Sequence, residues 1–220
     1  MVTPTFYLAL GWLTVAVIIL ATLIGAARFR QLPASSRYLT YFAGFEVLIE
    51  LLSRALIRVF HLKSNLFLIP IAAIGEVGLL ALAYRQVLGS AAFARALPWV
   101  LGLFSSYALL ETLAGLGAVR YAPTVQVSTD LLMLGFAGLY FRKLLHELQV
   151  TQLRHEPFFW MSAGMTIYAL GDLQIALFSN YLLHYGSLQL NLVVISVVRV
   201  LLLFIFYSGC GLALWMRPQK

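Results

Sequence analysis

Long apolar runs separated by short polar connections dominate the pattern of this chain. Many of these runs are long enough to cross the roughly 30 Å hydrocarbon layer of a bilayer, at about 1.5 Å per helical residue. We predict seven membrane spans, at approximately residues 5–27, 39–61, 65–87, 97–118, 124–145, 158–183 and 189–215. The pattern therefore predicts an all-α fold, with one seven-transmembrane-helix bundle as a single membrane domain over residues 1–220.

Prolines refine the expected ends of these helices. Pro98, Pro123 and Pro157 fall where the fourth, fifth and sixth spans begin, and a proline in the first turn removes no intrahelical hydrogen bond. Pro70 falls inside the third span instead. We expect it to kink that helix.

Helix 2 interrupts the apolar pattern with a stripe of charge. Glu46, Glu50, Arg54 and Arg58 recur at four-residue spacing, and at about 100° per residue the first three share one face of the helix. A charge that faces lipid costs about 2.5–3.5 kcal/mol, so this face is predicted to point at protein or at a water-filled cavity. Glu50 and Arg54 are also in the favourable order for a structural ion pair within one helix.

Ionisable residues also fall near the middle of most other spans. The full set is Glu46, Glu50 and Arg54 in helix 2, Glu76 in helix 3, Glu111 in helix 4, Asp130 in helix 5, Asp172 in helix 6 and Arg199 in helix 7. All of them lie within about 7 Å of the estimated midplane, at about 1.5 Å rise per residue. The shared depth predicts one polar centre, and these residues are the candidate ligand- or ion-binding site.

The acids of this centre outnumber its bases. Six acids face two arginines, or three if Arg58 also turns inward. Buried carboxylates in excess must be protonated, hydrated or neutralised by a bound cation. Glu46 and Glu50 lie one turn apart on one face, so we expect their titrations to be coupled. Any single member could serve only to fix helix register, but a purely structural core normally avoids such an imbalance.

The imbalance favours a cation, a proton or a small polar ligand as the partner of the site, in a protein for transport or sensing. Arg54 and Arg199 would balance charge or hold an anionic part of the ligand. Oxygen ligands or proton sites would come from Glu50, Glu76, Glu111, Asp130 and Asp172. Sensing would also require a membrane or signalling partner protein.

Two alternatives stay open, and the sequence leaves it uncertain whether the protein is an enzyme. The first is a membrane-embedded enzyme for a lipid or isoprenoid substrate, in which paired carboxylates such as Glu50 and Asp172 act as acid and base or hold Mg²⁺. The second is a structural membrane subunit whose charges pair with a partner protein. It predicts that some acids face outward from the bundle.

Composition and charge agree with a membrane location. The chain has 220 residues, of which 62% are hydrophobic and 10% charged, whereas soluble domains carry about 25% charged residues. The formal net charge of +7 does not indicate nucleic acid as a partner, because Lys and Arg lie mostly in short connections between spans. Their distribution predicts an N-terminus outside and a C-terminus in the cytoplasm. The lipid bilayer is thus the first expected partner.

Residue types disfavour two seven-helix functions. A retinal Schiff base needs a lysine in the last helix, where Arg199 stands instead, so retinal is not expected. Histidine-based zinc hydrolases are disfavoured because His61 and His184 fall only at helix ends. No cofactor is evident from the sequence, although the acids allow a bound cation.

Several segments resemble a known group of proteins. They are "RYLTYFAGFEVLIELLSR" in helix 2, the lone Glu76 in helix 3, "PFFWMSAGMTIYALGD" at the start of helix 6, and a polar-then-apolar last helix with Arg199. With these features the chain resembles small seven-helix integral membrane proteins of unassigned function common in Bacteroidota. The resemblance covers most of the chain, implies a bacterial inner-membrane location and adds no activity.

Overall fold

Seven α-helices make up the part of the chain that the structure describes. The computed structural model describes residues 4–61, 65, 67–114, 123–147, 156–185 and 197–216. The helices in this part of the chain are α1 (Pro4–Ala27), α2 (Ala34–Arg58), α3 (Leu68–Leu88), α4 (Ala91–Ala114), α5 (Pro123–Glu147), α6 (Pro157–Tyr185) and α7 (Arg199–Trp215), and a 3₁₀ turn at Phe29–Gln31 joins α1 to α2. The predicted all-α seven-helix bundle is confirmed.

Five of these helices, α1, α3, α4, α5 and α6, are long and apolar enough to cross a membrane. α2 has sufficient length but carries five charged residues. The helical part of α7 that the structure describes is apolar and 17 residues long, and residues 189–196 of the predicted last span lie outside the described residues. The bundle is therefore that of a polytopic membrane protein.

Two of the four prolines occupy positions other than those predicted. Pro123 and Pro157 are the first residues of α5 and α6, as expected. Pro98 lies inside α4, because the helix begins earlier, directly after Ser90, whose Oγ accepts a hydrogen bond from the main-chain N–H of Phe93. Pro70 is the third residue of α3, where it removes no helical hydrogen bond, so the predicted interior position was wrong.

Six helices form a closed ring, in the order α1, α2, α3, α5, α6 and α7, with α7 packed back against α1. Buried side chains such as Phe42, Leu80, Met133 and Phe206 fill its interior. α4 lies outside the ring, packed mainly on α3 and only sparsely on α5. Of its apolar span 17% is buried, compared with 44% for α3 and for α6. Residues of α4 are therefore poorly placed to reach the ring interior.

α6 and α7 approach each other closely at Gly164 and Gly209. A Cβ at Gly209 would lie 2.7 Å from the main-chain oxygen of Trp160, and one at Gly164 would lie 3.2 Å from that of Ile205. Only glycine permits this contact between two helix backbones. About two to three helical turns away, the same two helices carry Asp172 and Arg199.

Basic side chains join helix ends at one end of the bundle. Arg28, just after α1, donates to the main-chain oxygens of Leu214 and Trp215 at the end of α7. Lys143, near the end of α5, donates to the main-chain oxygen of Val87 at 2.8 Å. We call this the basic end and the other the opposite end. The orientation of the two ends across a membrane stays a prediction.

Candidate binding site in the bundle interior

Asp172 on α6 forms the buried ion pair of the ring interior and is 1% exposed. Its Oδ1 lies 2.8 Å from Nε of Arg199 at the start of α7, and its Oδ2 accepts from Nη2 of the same arginine at 3.0 Å. Oδ2 also accepts from Nε2 of Gln126 on α5 at 2.8 Å. Two parallel N–H···O bonds form a charge-assisted fork, which is among the stronger polar contacts in proteins. Asp172 thus ties three helices together.

Asp130 is equally buried but has a different environment. It lies one turn after Gln126 on α5 and is 0% exposed. Neither of its carboxylate oxygens has a well-aligned hydrogen bond to a described residue, but the Gln126 amide, which donates to Asp172, also lies near it, and Asp172 and Arg199 are within electrostatic range. Burying an ionised, unbonded carboxylate is costly. Among the described residues, the only base within electrostatic range of Asp130 is Arg199, which already pairs with Asp172.

Two further acids extend this group toward α2 and α3. Oε2 of Glu46 accepts a hydrogen bond from the Tyr207 hydroxyl on α7 at 3.1 Å, while its buried Oε1 has no partner among the described residues. Glu76 lies within electrostatic range of Glu46, Asp130, Asp172 and Arg199. We name the central cluster as Glu46, Glu76, Asp130, Asp172 and Arg199, which come from five of the six ring helices.

The uncharged polar residues that lie next to the central cluster were not predicted from the sequence. Tyr168 lies within electrostatic range of Asp172, and its ring stacks on Phe206 with centroids 5.3 Å apart. Phe206 in turn stacks on Tyr207 at 5.6 Å. Tyrosines in an apolar run are ordinarily core residues, so they gave no signal. Gln126 could have been found, because it lies four residues before Asp130 and thus on the same helix face.

Glu50 and Arg54 form the ion pair predicted for α2. Nε and Nη2 of Arg54 lie 2.7 Å and 2.6 Å from Oε1 of Glu50, and the guanidinium packs over the Trp12 ring at 4.5 Å from its centroid. The Glu50 side chain is 43% exposed and that of Arg54 24%. The pair is thus confirmed, but it lies at the edge of the bundle rather than in the central cluster.

A cavity of about 170 Å³ between α1, α2 and α7 connects this pair to the central cluster. Gly11, Glu50 and Arg54 line it toward the opposite end, and Glu46 and Tyr207 line its deeper part. The lining is mostly apolar, with polar groups at both ends, and the volume has room for several water molecules. Glu46 is therefore the member of the cluster that this cavity reaches.

Glu111 stands apart from the central cluster. Its Oε1 accepts a hydrogen bond from Oγ1 of Thr124 at the start of α5, and Tyr107 lies beside it on α4. Thr124 precedes Asp130 by six residues, about 9 Å along the helix. The sequence places Glu111 in the predicted polar centre only because of its estimated depth in the membrane. The peripheral position of α4 is the reason that the structure does not bring Glu111 to the others.

The site and the fold together define a polytopic membrane protein with a buried ion pair and an excess of buried acids. Among the described residues, no three His, Cys, Asp or Glu side chains stand close enough together to hold a metal ion. The chain matches no protein-family model, no curated protein and no solved structure. The resemblance to membrane proteins of Bacteroidota stays a prediction.

Proposed function

We propose that the central cluster binds a cation, of which the proton is the smallest, or a small polar ligand with a positive charge, and that the protein transports or senses it. The observation that carries the proposal is the environment of Asp130. Its two carboxylate oxygens are buried without a well-aligned hydrogen bond to a described residue, beside an acid whose charge Arg199 already balances. A buried carboxylate in this position is suited to take up and release a positive charge.

The charge of the whole cluster supports the same conclusion. Its four acids are accompanied by Arg199 as the one base among the described members. If all four acids were ionised, three negative charges would remain uncompensated inside the ring. Such a state is costly for Asp130 and Asp172, which are buried, and less costly for Glu46 and Glu76, which are half-buried. Bound protons or cations would remove that cost, and their number would vary with the conditions.

The cavity between α1, α2 and α7 supplies a path for the ligand. Its lining begins with the partly exposed Glu50 and ends at Glu46. Glu76 follows within electrostatic range of Glu46, and Asp130 within range of Glu76. A positive charge that moves inward thus meets successive carboxylates, a series typical of proton and ion pathways in membranes.

A thermal-unfolding experiment in detergent tests whether the cluster binds a positive charge. The unfolding midpoint would be measured in NaCl, KCl and choline chloride at equal ionic strength, and between about pH 5 and pH 9. We expect the wild type to respond to pH or to one of the small cations. Asp130→Asn should lose most of that response, because the amide needs no counter-charge.

Glu111→Gln is the matched control for this experiment. It also changes an acid with a buried, unpartnered oxygen to an amide, but it lies outside the central cluster. It should respond as the wild type does. The proposal fails if Asp130→Asn responds to pH and cations as strongly as the wild type.

A second experiment separates transport from sensing. Proteoliposomes with an internal pH-sensitive or cation-sensitive dye report a flux, and only transport produces a flux that Asp130→Asn abolishes.

A further inference from the structure

A second, more open cavity lies at the basic end, between α4 and α5, and its lining shares no residue with the central cluster. It has a volume of about 270 Å³ and is lined by Ser90, Arg142, Lys143 and His146 together with Leu88, Phe93 and Leu139. Arg142 and His146 are exposed, and Lys143 is held by its bond to the main-chain oxygen of Val87. No acid is among the described residues of this lining. We call this cavity the basic mouth.

The start of α4 adds to the positive character of the basic mouth. Ser90 immediately precedes the helix, and its Oγ accepts a hydrogen bond from the main-chain N–H of Phe93. The other N–H groups of a first turn have no partner within the helix, so this end of α4 carries a partial positive charge. Arg142 and Lys143 come from α5, a different helix. Two independent sources of positive charge therefore meet at the basic mouth.

An apolar groove continues from the basic mouth along α4 and α5. It also has a volume of about 270 Å³, and it shares Phe93 and Leu139 with the mouth. The rest of its lining is Ala96, Leu97, Val100, Leu131, Leu132, Gly135 and Phe136. The groove follows α4 from Phe93 to Val100 for about 10 Å, and the mouth and groove together, from Ser90 to Val100, extend for about 15 Å at 1.5 Å per residue. That length is about half of the hydrocarbon thickness of a bilayer.

The groove exists because α4 lies outside the ring and packs only sparsely on α5. At Gly135 an added Cβ would meet no atom within 4 Å, so this part of α5 faces open space. A groove on an apolar helix pair would be filled by a lipid chain in a membrane. What distinguishes this groove is the cationic cavity at its end.

We propose that the basic mouth and the groove together bind one anionic phospholipid. The headgroup phosphate would lie against Arg142, Lys143 and the first turn of α4, and an acyl chain would lie along Val100 and Gly135. Basic pockets between membrane helices at one face of the bilayer recognise anionic headgroups in this way. A free phosphate would use the mouth alone, whereas a phospholipid matches both the charge of the mouth and the length of the groove.

Native mass spectrometry of the full chain, released from detergent with added lipid, tests this proposal. The probes are dioleoyl phosphatidylglycerol and dioleoyl phosphatidylcholine, which share their chains and differ in headgroup charge. The wild type should retain the anionic lipid preferentially. Arg142→Gln should weaken that preference about fivefold, since one basic residue near an anionic lipid contributes roughly that factor. Arg95→Gln removes an exposed arginine from the same end, outside the mouth, and should leave the preference unchanged.

Gly135→Leu tests the groove separately from the mouth. The leucine side chain would fill the groove without a clash at its Cβ and improve helix propensity, so the variant should fold. It should reduce the binding of both lipids several-fold. The proposal is overturned if the wild type retains both lipids equally, if Arg95→Gln and Arg142→Gln have the same effect, or if Gly135→Leu binds both lipids normally. Displacement of the lipid by an equal concentration of glycerol 3-phosphate would likewise overturn it, because the groove would then contribute nothing.

Discussion

The Glu50–Arg54 and Asp172–Arg199 ion pairs differ in how they are held. Glu50 and Arg54 lie on one helix, one turn apart, and both side chains are partly exposed. Asp172 and Arg199 come from α6 and α7, and Asp172 is buried and also accepts a hydrogen bond from α5. The first pair needs only the geometry of its own helix, whereas the second exists only when α6 and α7 are correctly placed. We conclude that the second pair organises the interior, and the first stabilises one face of α2.

The largest expected effect comes from breaking the pair between helices. Asp172→Asn removes the negative charge that faces Arg199 and weakens the fork. Because the Arg199 side chain left behind is 28% exposed, we expect a cost of about 2–3 kcal/mol, below that of a fully buried pair. The free energy of unfolding, measured in mixed micelles, should fall by that amount. A loss below about 1 kcal/mol, the range of exposed pairs, would contradict the distinction drawn between the two pairs.

A substitution at the close contact of α6 and α7 should lower the free energy of unfolding by nearly as much. Gly209→Ala places a methyl group 2.7 Å from the main-chain oxygen of Trp160, so the two helices must separate. Overpacking of this kind costs about 1–3 kcal/mol. Gly138→Ala is the matched control, because a Cβ there meets nothing within 4 Å, and it should not destabilise the fold. Equal stability of the two variants in the same unfolding assay would count against the close contact.

Asp130→Asn should change stability in the direction opposite to Asp172→Asn. The chemical change is the same, but Asp130 has no well-aligned hydrogen bond to a described residue to lose. The neutral amide removes the cost of burying a charge, so the free energy of unfolding should stay constant or rise by about 1 kcal/mol. A loss as large as that of Asp172→Asn would show that Asp130 has a structural partner.

The smallest effect is expected for Glu50→Gln. A partly exposed pair within one helix contributes about 0.3–0.5 kcal/mol, and Arg54 keeps its contact with the Trp12 ring. The free energy of unfolding should therefore fall by less than about 1 kcal/mol. A larger loss would mean that Glu50 belongs energetically to the central cluster after all.

Local features of this fold could be predicted from the sequence. The seven helices follow from the length of the apolar runs, and the pair of Glu50 and Arg54 follows from helix periodicity. The prediction that α4 begins at Pro98 was wrong, because Ser90 caps the helix about two turns earlier. A proline is tolerated within a helix when packing outweighs its cost, and the pattern of one helix does not show this.

Relations between helices could be predicted only in part. The estimated depth of each residue along its span correctly indicated that Asp172 and Arg199 lie at a similar level, and the two residues form an ion pair. Depth could not exclude Glu111, because the rotation and position of α4 depend on its packing against α3. Gln126 and Tyr207 bond to acids of the cluster; the spacing of Gln126 to Asp130 could have indicated its position, whereas nothing in the sequence distinguished Tyr207 from a core tyrosine. The missing information is which helix faces meet, and that is set by side-chain packing along whole helices.

α2 is too polar to enter a bilayer by itself. Five of its residues are charged, and each charge placed near the membrane centre costs about 2.5–3.5 kcal/mol on insertion scales. α2 packs on α1 and α3, and both of these helices are apolar enough to span a membrane. We therefore expect α2 to leave the translocon together with a neighbour, as a hairpin. Synthesis delivers α1 before α2 and α3 directly after it, so the polar helix has an apolar companion on either side during biogenesis.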